Sequence, residues 1–297
     1  MSRLRRIVVG YTFAPDGELA LRSALALAER AHAALYLLHV VEPYPVYIKM
    51  RFPSVPAEAL LEEVVLKTRT QLKDLAENVQ RSDVRVEADV RVGKPFVELI
   101  STCRNWQGAL IVVGATKQGE ERFLGSTGER VLRKALVPVL VAKRELSVGP
   151  KTILVPIDFS PCAQQAAEEA LALVRGFGGR IVFLHVLDIR YIYPAAYGAE
   201  TVLLPVTAED LEPDWQEFLH DLPLGGLLWE KQTREGHAAQ MIAETADEIA
   251  ADLVVIGTHG RSGLAHMLLG SVAEQVLRST ACSVLTVRPS AFRFELP

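Results

Sequence analysis

GTHGRSGLAHMLLGS, running from Gly257 to Ser271, is the stretch that decides the fold of this chain. It spells Gly, two residues, Gly, nine residues, Gly-Ser. An apolar run, Ala250–Ile256 (AADLVVI), precedes it, and an amphipathic run from Ser271 to Ser279 follows it. That order predicts a strand, a glycine loop and a helix N-terminus. Small residues let peptide N–H groups approach a ligand closely. The helix end adds unpaired donors and about half a positive charge, which suits a phosphate. The loop holds one cation, Arg261, two histidines, His259 and His266, and no carboxylate, so the expected ligand is polyanionic.

The block occurs twice. LGSTGERVLRKALVPVLVA from Leu124 and LGSVAEQVLRSTACSVLTV from Leu269 share nine of nineteen positions. RIVVGYTFAP from Arg6 corresponds to TILVPIDFSP from Thr152, and YLLHV, ending at Val40, to VFLHV, ending at Val186. RVGKPFVELI from Arg91 corresponds to REGHAAQMIA from Arg234. A period of about 145 residues is the size of a whole domain, not of a solenoid repeat. Two domains are expected, residues 1–146 and 147–297, joined at the short linker Glu145–Pro150 (ELSVGP).

Each half alternates strand and helix. The runs IVVG, ALIVVG, ILVPI and DLVVIG are the continuous Val/Ile stretches of strands buried on both faces of a parallel sheet. Apolar positions such as Leu19, Ala20, Ala24 and Leu27 have helical spacing. The fold class is therefore α/β, an open, doubly wound five-stranded sheet in each half. Helices are expected at 16–31, 57–80, 95–106 and 125–135, then at 161–176, 207–221, 237–250 and 271–280. The Pro- and Tyr-rich segments 43–56 and 191–205 read as irregular crossovers. Doubly wound sheets bind ligands at the carboxyl ends of strands, where strand order reverses. If the first strand lies beside the fourth, Asp158 faces the glycine loop. A carboxylate there accepts hydrogen bonds from ribose hydroxyls or an adenine amino group, although capping the next helix would serve it equally.

Composition narrows the classes. A chain 49% hydrophobic and 23% charged, with net charge −4, buries a sizeable core and lacks the basic face that nonspecific nucleic-acid binding needs. No run of eighteen apolar residues suggests a membrane span. The N-terminus enters a strand pattern directly, without a signal-peptide core. Cys103, Cys162 and Cys282 lack metal-ligand spacing and read as buried free thiols of a reducing cytoplasm. His39 and His185 read as packed, hydrogen-bonded histidines.

These motifs together resemble the universal stress protein family in its tandem two-domain form. The second half carries the family's nucleotide signature at Gly257, Gly260, Gly270 and Ser271, its early V-P-x-D-x-S segment at Val155, Pro156, Asp158 and Ser160, and its LHV strand ending at Leu184, His185 and Val186. The resemblance implies strand order 3-2-1-4-5 and ATP as ligand, alone or with Mg. It assigns Asp158 and Val186, beside Pro156 and Ile157, to the adenosine end. It assigns Gly257, Gly260, Arg261, Gly270, Ser271 and Val272, with Thr258 and His259 between them, to the phosphates. The first half departs from the pattern: Thr12 replaces the acid, Lys117 replaces the second glycine, and the loop Gly114–Ser126 is two residues shorter. It is expected to be degenerate and ligand-free.

Two function classes follow. One is an ATP-binding stress regulator acting through nucleotide-dependent conformation or partner contacts. The other is a slow ATPase or nucleotidyl-transfer enzyme. Phosphoryl transfer needs a positioned nucleophile and usually acids that hold a metal; the second loop has no acid, and no P-loop occurs. A binder is therefore the expected class, with no catalytic residue and no protein-held metal. The apolar fifth strands, 137–142 and 283–288, would be bare edges. They are expected to pair with each other across a pseudo-two-fold axis, with further homodimerisation open.

Overall fold

The computed structural model describes residues 4–43, 57–80, 83–118, 121–146, 149–187, 207–260 and 269–289. The expected crossovers at 44–56 and 191–205, Arg261 and His266 lie outside them. The chain divides into two compact units, one ending at Gly149 and the other starting at Pro150.

Unit 1 runs β1 (Arg6–Gly10), α1 (Pro15–Ala31), β2 (Ala34–Val41), α2 (Ala57–Val79), β3 (Val86–Val92), α3 (Pro95–Asn105), β4 (Leu110–Gly114), β5 (Thr116–Gln118), β6 (Glu121–Phe123), α4 (Ser126–Lys134) and β7 (Val139–Ala142). Within it the sheet order is β3-β2-β1-β4-β7, and the four pairings are parallel. Unit 2 runs β8 (Thr152–Ile157), α5 (Pro161–Phe177), β9 (Arg180–Leu187), α6 (Glu212–His220), β10 (Leu228–Glu235), α7 (Ala238–Glu248), β11 (Leu253–Gly257), α8 (Ser271–Ser279) and β12 (Ser283–Val287). Its order is β10-β9-β8-β11-β12, again parallel. Each unit is thus a doubly wound α/β sheet of order 3-2-1-4-5.

The core follows the apolar runs. Ile7, Val8, Val9, Ile111 and Val112 in unit 1, and Ile153, Leu154, Val155, Val254 and Val255 in unit 2, have no solvent exposure. Burying each such side chain contributes about 1.5–3 kcal/mol. On α1 the buried face comprises Ala20, Leu21, Ala24, Leu27 and Ala28; small residues there let the helix lie close to β1 and β4. Prolines at the first turns of α1, α3 and α5 start those helices without losing a bonded N–H. The carboxyl ends of β1, β4, β8 and β11 run into loops, where doubly wound sheets bind ligands.

Two elements differ from the sequence reading. The helix expected at 207–221 begins only at Glu212. Asp210 Oδ2 accepts from Thr207 N at 2.7 Å and from Thr207 Oγ1 at 2.8 Å, closing a turn, and Pro213 then fixes the first helical turn. In unit 1 the shortened loop folds as an antiparallel ribbon, β5 on β6, with Thr116 opposite Phe123 and Lys117 opposite Arg122.

Candidate functional site

The site is built at the open ends of β8 and β11. These strands pair at Leu253 with Ile153 and at Val254 with Leu154, and the ladder goes no further. Pro156 follows, and its ring has no N–H to extend a ladder. The strands part there and a crevice opens beyond them, at the point where strand order reverses. On its other side β8 stays paired with β9 as far as Ile157 opposite His185. His185 Nδ1 donates to the Ile157 carbonyl at 2.7 Å, and in unit 1 His39 Nδ1 donates to the Tyr11 carbonyl at 2.9 Å. Both histidines are therefore structural clasps on the end of a first strand.

Asp158 is the next residue. Its Oδ1 accepts from Ser160 N at 3.1 Å. Its Oδ2 points at Gly260: a Cβ built on that glycine would stand 2.7 Å from it and, among the described residues, would otherwise meet only Asp158 Cγ at 4.0 Å. The acid and the second signature glycine are brought together across the crevice, and the missing side chain is what admits the carboxylate. Ser160 caps α5 by accepting from Ala163 N at 3.2 Å. Phe159, between the two, has a left-handed backbone with φ of 58°.

The other glycines have separate reasons. A Cβ at Gly257 would lie 2.9 Å from Cys162 Sγ, so the first glycine lets the start of α5 pack on the end of β11. Gly270 N donates to the Thr258 carbonyl at 2.7 Å, and a Cβ there would lie 3.1 Å from that oxygen. Thr258 N in turn donates to the Val287 carbonyl at 2.8 Å. The excursion between Thr258 and Gly270 is therefore pinched at its base and anchored on β12. Thr258 is fully buried, with Oγ1 2.9 Å from His259 Nδ1, so its side chain supports the loop from below.

Gly270 is also the N-cap of α8, and among the described residues no side chain caps that helix. Glu274 N donates to the Gly270 carbonyl, and the Ser271, Val272 and Ala273 amides before it have no acceptor within the helix. Val272 is 37% exposed on that first turn. Val186 is half-buried near the end of β9, opposite Arg234. Sequence reasoning passed over one basic group: Arg288, which directly follows β12, is buried beside Cys162. Burial lowers its pKa to about 10, still far enough above neutrality to keep the charge. A basic residue straight after a fifth strand was the signal that could have found it. Burial also pushes the Cys162 thiol up and the Cys103 thiol up to about 12. All three cysteines are free and buried.

Unit 1 lacks this arrangement. A Cβ at Gly17 would lie 2.7 Å from Thr12 Oγ1, so Thr12 faces back toward α1. Where unit 2 has Cys162 and Gln164, unit 1 has Asp16 and Glu18. These line a cavity of about 710 Å³ with Tyr11, Phe13 and Arg22. The Tyr11 hydroxyl donates to Glu18. Burial, then the Glu18 carboxylate, hold that hydroxyl well above the usual tyrosine range and so protonated. Two carboxylates at that position oppose a polyanion.

The sequence profile of the family described as Universal stress protein family matches the chain twice, over residues 3–143 and 149–288. The chain belongs to the universal stress protein family. A universal stress protein of Mycolicibacterium smegmatis is 28% identical over 95% of this chain and 97% of its own length. One of Methanocaldococcus jannaschii is 32% identical over 46% of this chain and 82% of its own length. Among solved structures, a universal stress protein from Archaeoglobus fulgidus superposes with a TM-score of 0.75 at 21% identity, covering 95% of this chain and 98% of that one. The last likeness is one of fold. Among the described residues no helix is long and apolar enough to cross a membrane.

Proposed function

We propose that unit 2 of this universal stress protein binds ATP and that the chain acts in stress response as a nucleotide-dependent regulator. The observation that carries the reading is the Asp158 carboxylate seated against Gly260 at the open ends of β8 and β11. The residues present fit a nucleotide. Asp158 would accept from the sugar hydroxyls or the base amino group, with Pro156, Ile157 and Val186 beside it. The backbone at Gly257, Thr258, His259, Gly260 and Gly270 would lie along the phosphates, Ser271 and Val272 would donate from the first turn of α8, and Arg261 would supply a cation. The bound triphosphate supplies negative charge, and any Mg would arrive with it rather than on a protein carboxylate.

Binding is favoured over turnover because the loop sequence from Gly257 to Ser271 offers amide donors, Arg261 and no carboxylate. They hold a polyanion but do not deprotonate a nucleophile. Nucleotide held by the Thr258–Gly270 loop would change the surface that partners meet. In a cytoplasmic setting, the fifth strands β7 and β12 would pair within one chain and a second copy could add a homodimer; cross-linking with mass spectrometry tests both. The central test is calorimetric titration of the full chain with Mg-ATP, together with mass spectrometry of whatever co-purifies. One nucleotide per chain is expected. Absence of saturable binding, or two equivalent sites, would overturn the assignment to unit 2.

A further inference from the structure

We infer that Phe159 is a positioning residue for Asp158: its left-handed backbone turns the carboxylate into the crevice, and its ring locks that turn in place. The inference rests on the nucleotide reading.

A bulky L-residue rarely adopts a positive φ, because its Cβ crowds the following peptide. Such a conformation persists only when surrounding structure over-determines it, and it collects at functional sites. Phe159, with φ of 58°, is held from three directions. Its ring centroid lies 4.6 Å from that of His185, 5.2 Å from Trp215 and 5.9 Å from Phe218, with the last two edge-on. Each neighbour is itself fixed. His185 clasps the Ile157 carbonyl. Trp215 is 2% exposed, and its Nε1 donates to Thr233 Oγ1 at 3.2 Å. Phe218 is buried on α6. The ring is thus an anchor and the backbone a hinge set at one angle.

The consequence is local and directional. With Phe159 turned this way, Ser160 N reaches back to Asp158 Oδ1 at 3.1 Å, while Ser160 Oγ caps α5. Ser160 N thus holds Oδ1 while Oδ2 points at Gly260. Unit 1 is the internal control. Its aligned Phe13 is not among the positive-φ residues, is 47% exposed, and among the described residues its ring meets Tyr11 and His39, at 5.1 and 5.0 Å. Ala14 replaces the capping serine, and Thr12 faces α1 instead of the loop. The same phenylalanine is present in both repeats, but among the described residues only Phe159 is packed against a tryptophan and a second phenylalanine, and only Phe159 makes the turn.

The test is calorimetric titration of the full chain with Mg-ATP for wild type, Phe159→Ala, Phe159→Leu, Phe159→Tyr, Asp158→Asn and Phe159→Ala combined with Asp158→Asn. Phe159→Ala should weaken binding about tenfold, Phe159→Leu by less, and Phe159→Tyr by no more than about twofold. In the Asp158→Asn background Phe159→Ala should add no more than about twofold, because the ring acts through the carboxylate. A general structural role would give the same loss in both backgrounds, and that result overturns the inference, as does unchanged affinity in Phe159→Ala or Phe159→Leu. A wild-type chain that does not bind Mg-ATP overturns the nucleotide reading itself and is distinguished from these outcomes at the first titration.

Discussion

Replacing Gly260 by alanine tests the crevice at its narrowest point. The added methyl would stand 2.7 Å from Asp158 Oδ2, whereas ordinary contact begins near 3.4 Å, so the carboxylate must retreat by about 0.7 Å. Gly260 is not among the positive-φ glycines, so the backbone accepts an L-residue there. Among the described residues, the atoms in the way belong to the end of one side chain. Rotating that carboxylate breaks its bond from Ser160 N, a loss of about 1 kcal/mol, and the melting temperature should fall by no more than about 4 °C. The effect on nucleotide should be much larger. A charge-assisted hydrogen bond contributes about 1.5–3 kcal/mol, so displacing the acceptor should weaken Mg-ATP binding about tenfold to a hundredfold. Asp158→Ala should weaken it equally, and the double variant should be no worse than either, since both changes remove one contact. Gly225→Ala is the matched control, because a Cβ there meets nothing within 4 Å. The assay is isothermal titration with thermal melts of the same samples. Wild-type affinity in Gly260→Ala, or losses that add in the double variant, would refute the reasoning.

Other outcomes are expected. Ser160→Ala removes the cap of α5, costs about 1 kcal/mol and lowers the melting temperature by a few degrees in a calorimetric scan; an unchanged scan would show the cap to be idle. Arg288→Met removes the buried cation behind the loop base, and should weaken ATP several-fold while leaving adenosine unchanged; equal losses for both ligands would assign Arg288 to packing alone. Cys103 has its pKa raised by burial to about 12, so the folded chain keeps the proton that the unfolded chain loses near pH 9. The stability this thiol contributes is complete below pH 9 and falls by about 1.4 kcal/mol per unit from there to pH 12. Iodoacetamide at pH 8.5 should accordingly spare Cys103 in the native protein and modify it after denaturation, as read by peptide mass spectrometry; rapid native labelling would contradict the burial.

The fold was legible because its signals are redundant. Val/Ile runs such as those around Val8 and Val254 can only be central parallel strands, helical spacing fills the intervals between them, and the internal repeat states the whole pattern twice. The meeting of Asp158 with Gly260 was legible for a related reason: parallel pairing of a first and a fourth strand leaves their carboxyl ends side by side, whatever the loops contain. What escaped the sequence depends on contacts that no local pattern encodes. The β5–β6 ribbon forms in a stretch whose composition reads as loop. Arg288 looks like an ordinary charge after a strand until the packing around Cys162 buries it. The late start of α6 is decided by one Thr207–Asp210 turn.

Phe159 is the instructive case, because the letters that flank it nearly repeat around Phe13. TFAP and DFSP differ at two positions, yet one phenylalanine lies exposed and the other turns left-handed beneath an acid. The difference arises more than fifty residues away, where α6 supplies Trp215 and Phe218 to cover the ring. Divergence between the repeats was thus not confined to the glycine loop. Thr12 in place of the acid, Ala14 in place of the cap and Lys117 in place of Gly260 all fall on one end of one sheet. If the nucleotide reading holds, these features act together in unit 2, a carboxylate set by its anchor facing a loop opened by its glycine. Restoring a single one, as in Thr12→Asp, should therefore leave unit 1 without measurable affinity for ATP.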